Sequence, residues 1–261
     1  MHSKTLLTSL LLFSISCNTN STANTCAGQT NRPPAINKNI NPYANIEAIP
    51  LPPGYRRMPH DSNSFALWLE QVNLKKDKTV YLFNGQQKNN QSAQFAVLDI
   101  STGHKDLQQC ADAVMRLKAE YLFAGKQFSN ILFTDNEGKA YQFTTPYSAA
   151  HLHTYLQRVF GMCGTASLGK QLKPVDIKNI QAGDVLIRGG FPGHAVMVME
   201  VAVNEKGKKI FMLAQSYMPA QDIHILVNDT NQKLSPWYEV TDAEKIYTPE
   251  YVFTKNELKR W

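Results

Sequence analysis

Apolar residues recur three and four positions apart from Leu107 through Cys110, Ala111, Val114, Leu117 and Tyr121, and this stripe predicts an amphipathic helix. Asp106 precedes the stripe with Gln109 three residues on, the spacing of a capping box, so Cys110 is expected in the first helical turn. A shorter stripe of Phe65, Trp68, Leu69 and Val72 follows Ser64, a natural N-cap. A third helix is expected over 149–160, with Cys163 just past its end.

Elsewhere the period drops to two, or the apolar run is unbroken. Residues 79–83 and 95–100 read as two strands of an open hairpin near the start of the folded region, and 131–134 with 140–143 read as a second hairpin around Asp135-Asn136-Glu137-Gly138. Residues 185–187, 194–203 and 210–215 predict an antiparallel meander, to which 223–227 adds a strand. Because the strands follow a helix instead of alternating with helices, the expected class is α+β.

The first residues carry a different pattern. His2 and Lys4 precede a short apolar run over 6–15, and Ser14-Ile15-Ser16 places small residues before Cys17. That is the order of a secretory signal peptide, and the run falls short of the roughly 20 apolar residues that span a bilayer. Cys17 after a small residue resembles the bacterial lipobox, which implies removal of residues 1–16, lipidation of Cys17 and a place in the bacterial cell envelope, facing the periplasm. Asn, Thr, Ser, Ala and Pro dominate 17–48, a composition that buries little apolar surface and reads as a disordered tether. The remainder, 49–261, has the size of one domain.

A net charge of +6 is spread along the chain, with only isolated pairs at Arg56-Arg57 and Lys75-Lys76. Nucleic acid is therefore not an expected partner. His151 and His153 fall on different faces of their helix, and no HExxH or paired CxxC spacing occurs, so neither a metal nor a cofactor is expected. The expected partners are the membrane, through the lipid, and a peptide or cell-wall substrate.

The candidate chemistry lies in Cys110. A thiol in the first turn of a helix faces unpaired backbone N–H groups, which favour its thiolate. A nucleophilic thiol needs a proton shuttle, and His194 opens a strand directly after Gly189-Gly190-Phe191-Pro192-Gly193. If residues 204–207 form the turn, Val203 faces Lys208 and Val196 faces Gln215, which makes Gln215 the same-face diagonal neighbour of His194. Gln215 would then orient the imidazole. Asp222 and His224 compete for that role, and with Gln109 and Tyr217 they are the candidate lining of a substrate groove. Cys163 is the alternative nucleophile, disfavoured at a helix end, and a Cys110–Cys163 disulfide is the alternative fate of both thiols.

Cys110 at a helix start, Gly164-Thr165-Ala166-Ser167-Leu168, the run Ile180 through Ile187, Gly193-His194-Ala195-Val196 and Leu213-Ala214-Gln215-Ser216 are together similar to the ordered elements of the NlpC-type cysteine peptidases. That resemblance implies a papain-like α+β fold, a helix packed on an antiparallel meander, here with an N-terminal hairpin extension. It also implies hydrolysis of amide bonds in cell-wall peptides, with Cys110 as nucleophile, His194 as base and Gln215 as third residue. Over 50–238 the chain resembles more closely the domain-of-unknown-function 4846 family, through Ile49-Pro50-Leu51-Pro52-Pro53-Gly54, Leu107-Gln108-Gln109-Cys110-Ala111-Asp112, Gly190-Phe191-Pro192-Gly193-His194-Ala195 and Gln215-Ser216-Tyr217-Met218-Pro219-Ala220-Gln221. The functional expectation is a lipid-anchored cysteine hydrolase. Its rival is a non-catalytic envelope lipoprotein whose groove binds glycan, peptide or a protein.

Overall fold

The computed structural model describes residues 39–261. Cys17 and the signal and lipidation features lie outside the described residues. Residues 40–48, assigned to the tether by composition, belong to the packed body: Ile46 and Ile49 are fully buried, and Asn45 bridges Asn73.

Two short elements open the fold, strand β1 (Tyr55–Arg57) and helix α1 (Phe65–Glu70). Ser64 caps α1 by accepting the Leu67 N–H at 3.2 Å. Ser64→Ala is expected to lower stability by about 1 kcal/mol in urea unfolding, the usual cost of a lost N-cap. Strand β2 (Gln94–Val97) precedes the long helix α2 (Cys110–Ala124). The small hairpin of β3 (Leu132–Thr134) and β4 (Ala140–Gln142) leads into helices α3 (Ala149–Met162) and α4 (Thr165–Gln171). Then come β5 (Lys173–Pro174), β6 (Val185–Arg188), β7 (His194–Asn204), β8 (Lys209–Gln215) and β9 (His224–Leu226). Strands β10 (Tyr238–Glu239), β11 (Lys245–Tyr247), β12 (Val252–Thr254) and β13 (Leu258–Arg260) close the chain.

Nine of these strands form one antiparallel sheet in the order β2-β9-β8-β7-β6-β13-β5, with β1 added to β7 and β10 to β8. This sheet overturns the compact papain-like architecture implied by the peptidase resemblance. The chain is dominated by a broad antiparallel sheet accompanied by few, mostly short helices, and only the α+β class stands. The N-terminal hairpin is also replaced. Residues 79–83 make isolated bridges to Gln87 and Gln221, while β2 pairs with β9 at the sheet edge, Val97 opposite His224. Alternation marks a strand but does not name its partner, and here the partner lies far along the chain.

The sheet is buried on both faces, which is why β7 carries an almost unbroken apolar run. Ala195, Met197 and Met199 join the larger core with Val114 and Met115 of α2, while Val196 and Val198 face a smaller core with Leu213 and Phe253. Along β7 this alternation breaks once. A bulge between Val198 and Glu200 against β8 shifts the parity, so that Val201 returns to the smaller core and Ala202 to the larger.

Candidate active site

Helix α2 starts at Cys110, four residues after Asp106. Gln109 is the N-cap, and its backbone N–H donates to the Asp112 carboxylate at 2.9 Å. Asp106 is engaged elsewhere, accepting the Ala220 N–H at 2.6 Å and the Gln109 side-chain amide at 3.1 Å. The helix mouth is also fastened to the end of β8, since Ser216 Oγ stands 2.8 Å from the Gln108 carbonyl and 2.9 Å from that of Gln221. One hydroxyl proton serves the two in turn.

Cys110 and His194 line one cleft of about 350 Å³, together with Gln109, Tyr217, Tyr251 and the loop at 190–193. Gly193 allows that loop to approach. A Cβ there would stand 2.4 Å from the Gly190 carbonyl oxygen and 2.5 Å from Thr165 Oγ1, so any larger residue would push the loop, and His194 with it, out of place. Cys163, at the C-terminal end of α3, lines the same cleft, and both cysteines are free thiols.

The imidazole is held on several sides. His194 Nε2 and Gln215 Oε1 are 2.9 Å apart, and the rings of Tyr217, Tyr251 and Phe253 pack at 4.6, 5.0 and 5.9 Å between centroids. Gln215 reached this place by a compensated register. Val203 pairs with Lys209, one residue beyond the expected Lys208, and the bulge removes the offset so that Met197 faces Ala214 in the expected frame.

A chain of polar contacts behind Gln215 sets the tautomer. Glu250 Oε2 lies 2.6 Å from Gln215 Nε2, and a carboxylate accepts only, so the amide nitrogen faces Glu250 and the amide oxygen faces His194. His194 must therefore donate from Nε2, leaving the Nδ1 lone pair free. The second amide hydrogen of Gln215 points to His224 Nε2 at 3.4 Å, and His224 Nδ1 donates to the Asp222 carbonyl at 2.9 Å. Glu250 is itself fixed by Lys88 Nζ at 2.5 Å and by Asn90 at 3.1 Å. Nitrogen-15 NMR of the His194 ring is expected to report the Nε2–H tautomer alone in the native protein and a mixture in Glu250→Gln, whose amide no longer dictates which way Gln215 turns.

Burial sets the charges. It depresses His194 to about 4, against the opposing pull of Gln215 and Glu250, and depresses fully buried His224 to about 3. It also raises the Cys110 thiol, which outweighs the lowering effect of the Ala111, Ala195 and Cys110 N–H groups; the nearby Asp112 adds to the rise. The preformed thiolate expected from the helix start is thus not the resting state: both groups are neutral at pH 7. Burial alone would raise Glu250, but Lys88 and Asn90 hold it below the usual carboxylate range. Burial, with Asp135 and Asp112 nearby, pushes Cys163 up to about 11, which leaves it the poorer nucleophile.

The weaker candidates separate. Gln109 and Tyr217 line the cleft. Asp222 and His224 do not. The Asp222 carboxylate takes Lys75 at 2.9 Å, the Tyr81 N–H at 3.0 Å and Thr102 at 3.1 Å, so it fastens the 75–102 segment to the sheet edge, while His224 supports Gln215 from behind. Sequence reasoning missed Glu250, Lys88, Tyr251 and Phe253. Only the polar-aromatic mix of 247–253 set that stretch apart, and nothing local linked it to His194.

The model of the family described as a domain of unknown function (4846) matches residues 46–151 and 141–260. No curated protein and no solved structure matches the chain.

Proposed function

The chain belongs to the family described as a domain of unknown function (4846), and from its cleft we propose a cysteine-dependent hydrolase of amide bonds. The observation that carries the reading is the 2.9 Å contact between His194 Nε2 and Gln215 Oε1, in a cleft that also holds a thiol at a helix start. Cys110 attacks the amide carbonyl while His194 Nδ1 takes the thiol proton. The imidazolium returns that proton to the leaving amine, giving a thioester on Cys110. Water, deprotonated by His194, then releases the acid and regenerates the thiol. The N–H groups at the start of α2 steady the oxyanion. The substrate class is an amide in a cell-wall peptide, and lipid on Cys17 would hold the domain at the bacterial envelope where such peptides occur.

The resting protonation states favour a second reading. With His194 at about 4 and a thiol whose ordinary value of 9.0 is raised, proton transfer is uphill by at least about 7 kcal/mol before the attraction between thiolate and imidazolium is counted. A cleft that only binds peptide would show the same neutral pair. The two readings part on catalysis: the full chain is incubated with peptidoglycan stem peptides, and newly formed amines and carboxylates are read by mass spectrometry. Hydrolysis that depends on Cys110 supports the enzyme; saturable binding without new termini leaves the binding protein.

A further inference from the structure

On the opposite side of β7 from its catalytic end, three ligand-type side chains meet. His60 follows β1, Glu70 ends α1, and Glu200 sits at the bulge of β7, each from a separate element. His60 Nε2 lies 3.4 Å from Glu70 Oε1 and 3.7 Å from Glu200 Oε1, and the three ligand atoms are all within 4.8 Å of one another. Glu200 is fully buried and Glu70 nearly so, while His60 Nε2 is a buried nitrogen that lacks a hydrogen-bond partner and faces both carboxylates.

We propose that His60, Glu70 and Glu200 bind a divalent first-row metal cation of the zinc type. Ligand atoms about 2.0–2.1 Å from a tetrahedral zinc stand about 3.3 Å apart, so the two imidazole–carboxylate edges are near that length, and the carboxylate–carboxylate edge is no longer than 4.8 Å. One imidazole and two carboxylates suit zinc by ligand type. The outer partners are arranged to orient a ligand. Glu200 Oε1 accepts the Val201 N–H at 2.8 Å, and its Oε2 accepts from Arg57 Nε at 3.2 Å, whose other arm donates to the Ile49 carbonyl at 2.8 Å. Arg57 stands against Glu200, and a bound cation would offset the charge that the two carboxyls carry as its ligands. A cavity of about 250 Å³ bounded by Met58, His60, Ser64 and Gln181 opens beside His60.

The cation would tie together β1, α1 and β7, the strand that begins at His194. It stabilises the domain and takes no part in the hydrolysis proposed above, so it stands or falls separately. The spacing carried no signal in the sequence because each ligand comes from a different element.

The test is equilibrium dialysis of the full chain against zinc, followed by elemental analysis and thermal unfolding with and without the ion. The native chain is expected to keep about one zinc and to unfold at a higher temperature with it. His60→Ala and Glu70→Gln each lower zinc affinity at least about tenfold and lose the thermal shift. Glu70→Gln preserves shape, and circular dichroism confirms folding in each variant. The double substitution Cys110→Ala with Cys163→Ala keeps the ion, since the thiols lie elsewhere. Absence of retained zinc in the native chain, retention unchanged in both ligand variants, or loss only with the cysteines would overturn the site.

Discussion

Cys110→Ala is expected to abolish the proposed amide hydrolysis, with kcat/KM falling by roughly four orders of magnitude or more, the scale set by removing a covalent nucleophile from a concerted group. No other group in the cleft replaces it. Cys163 is held at about 11 and follows a helix end, where carbonyl oxygens and not N–H groups are exposed. Substrate affinity should change little, because the thiol is a small buried member of a large cleft. Steady-state kinetics on a stem-peptide substrate, with affinity measured separately by calorimetry, checks both halves. Hydrolysis persisting in Cys110→Ala would assign the chemistry to another group.

The two buried histidines are expected to withdraw stability between pH 6.5 and pH 4, against Asp112, raised by burial to about 8, and Glu200, raised by burial and Glu70 to about 9, whose retained protons favour the folded state over the same window. Each histidine has a folded-state value below its ordinary 6.5, about 4 for His194 and about 3 for His224, so within this window these two rings bind more protons in the unfolded chain than in the folded one. The contribution of these rings to stability therefore rises with pH there; it is complete above 6.5 and is lost as pH falls through the folded-state values. At one pKa unit per 1.36 kcal/mol, His194 alone accounts for about 3 kcal/mol at full effect. The two do not add freely, because both rings touch Gln215. Urea midpoints measured across the window are expected to respond to acid more favourably in His224→Gln, which removes one titrating ring, than in the native protein, and that difference isolates the ring from Asp112 and Glu200. The same pH dependence in the native protein and His224→Gln would show that this ring titrates normally.

Local pattern carried much of this architecture. The stripe along α2, the cap at Ser64, the hairpin around Asp135 and the strands β6, β7 and β8 follow from periodicity and turn chemistry, which act over a few residues. What depended on distant partners was not legible. The pairing of β2 with β9 needed knowledge of which edge was free, and the helix start moved from Asp106 to Gln109 because Ala220, from across the fold, takes the Asp106 carboxylate. Register shows the same limit in miniature. The expected turn was off by one residue, which alone would have turned Gln215 away from His194. The bulge before Glu200 restored the parity, and a bulge in an unbroken apolar run leaves no mark in sequence.

The same reasoning explains the site. Cys110, His194 and Gln215 were visible because each sits at a recognisable element boundary or register position. Glu250 and Lys88 were not, yet they decide which way the Gln215 amide faces and so which imidazole nitrogen is free. The charge states were misjudged for a related reason. A helix start lowers a thiol's pKa by a local field, whereas burial raises it through the whole surrounding fold, and here burial is the larger effect.

The most direct test of the thiol–imidazole pairing is peptide mapping after reaction of the full chain with a peptide vinyl sulfone, an electrophile that adds irreversibly to an attacking thiol. The account predicts one adduct, on Cys110, that disappears in His194→Ala while Cys163 stays unmodified in both. Equal addition to Cys110 and Cys163, or a Cys110 adduct indifferent to the loss of His194, would contradict it.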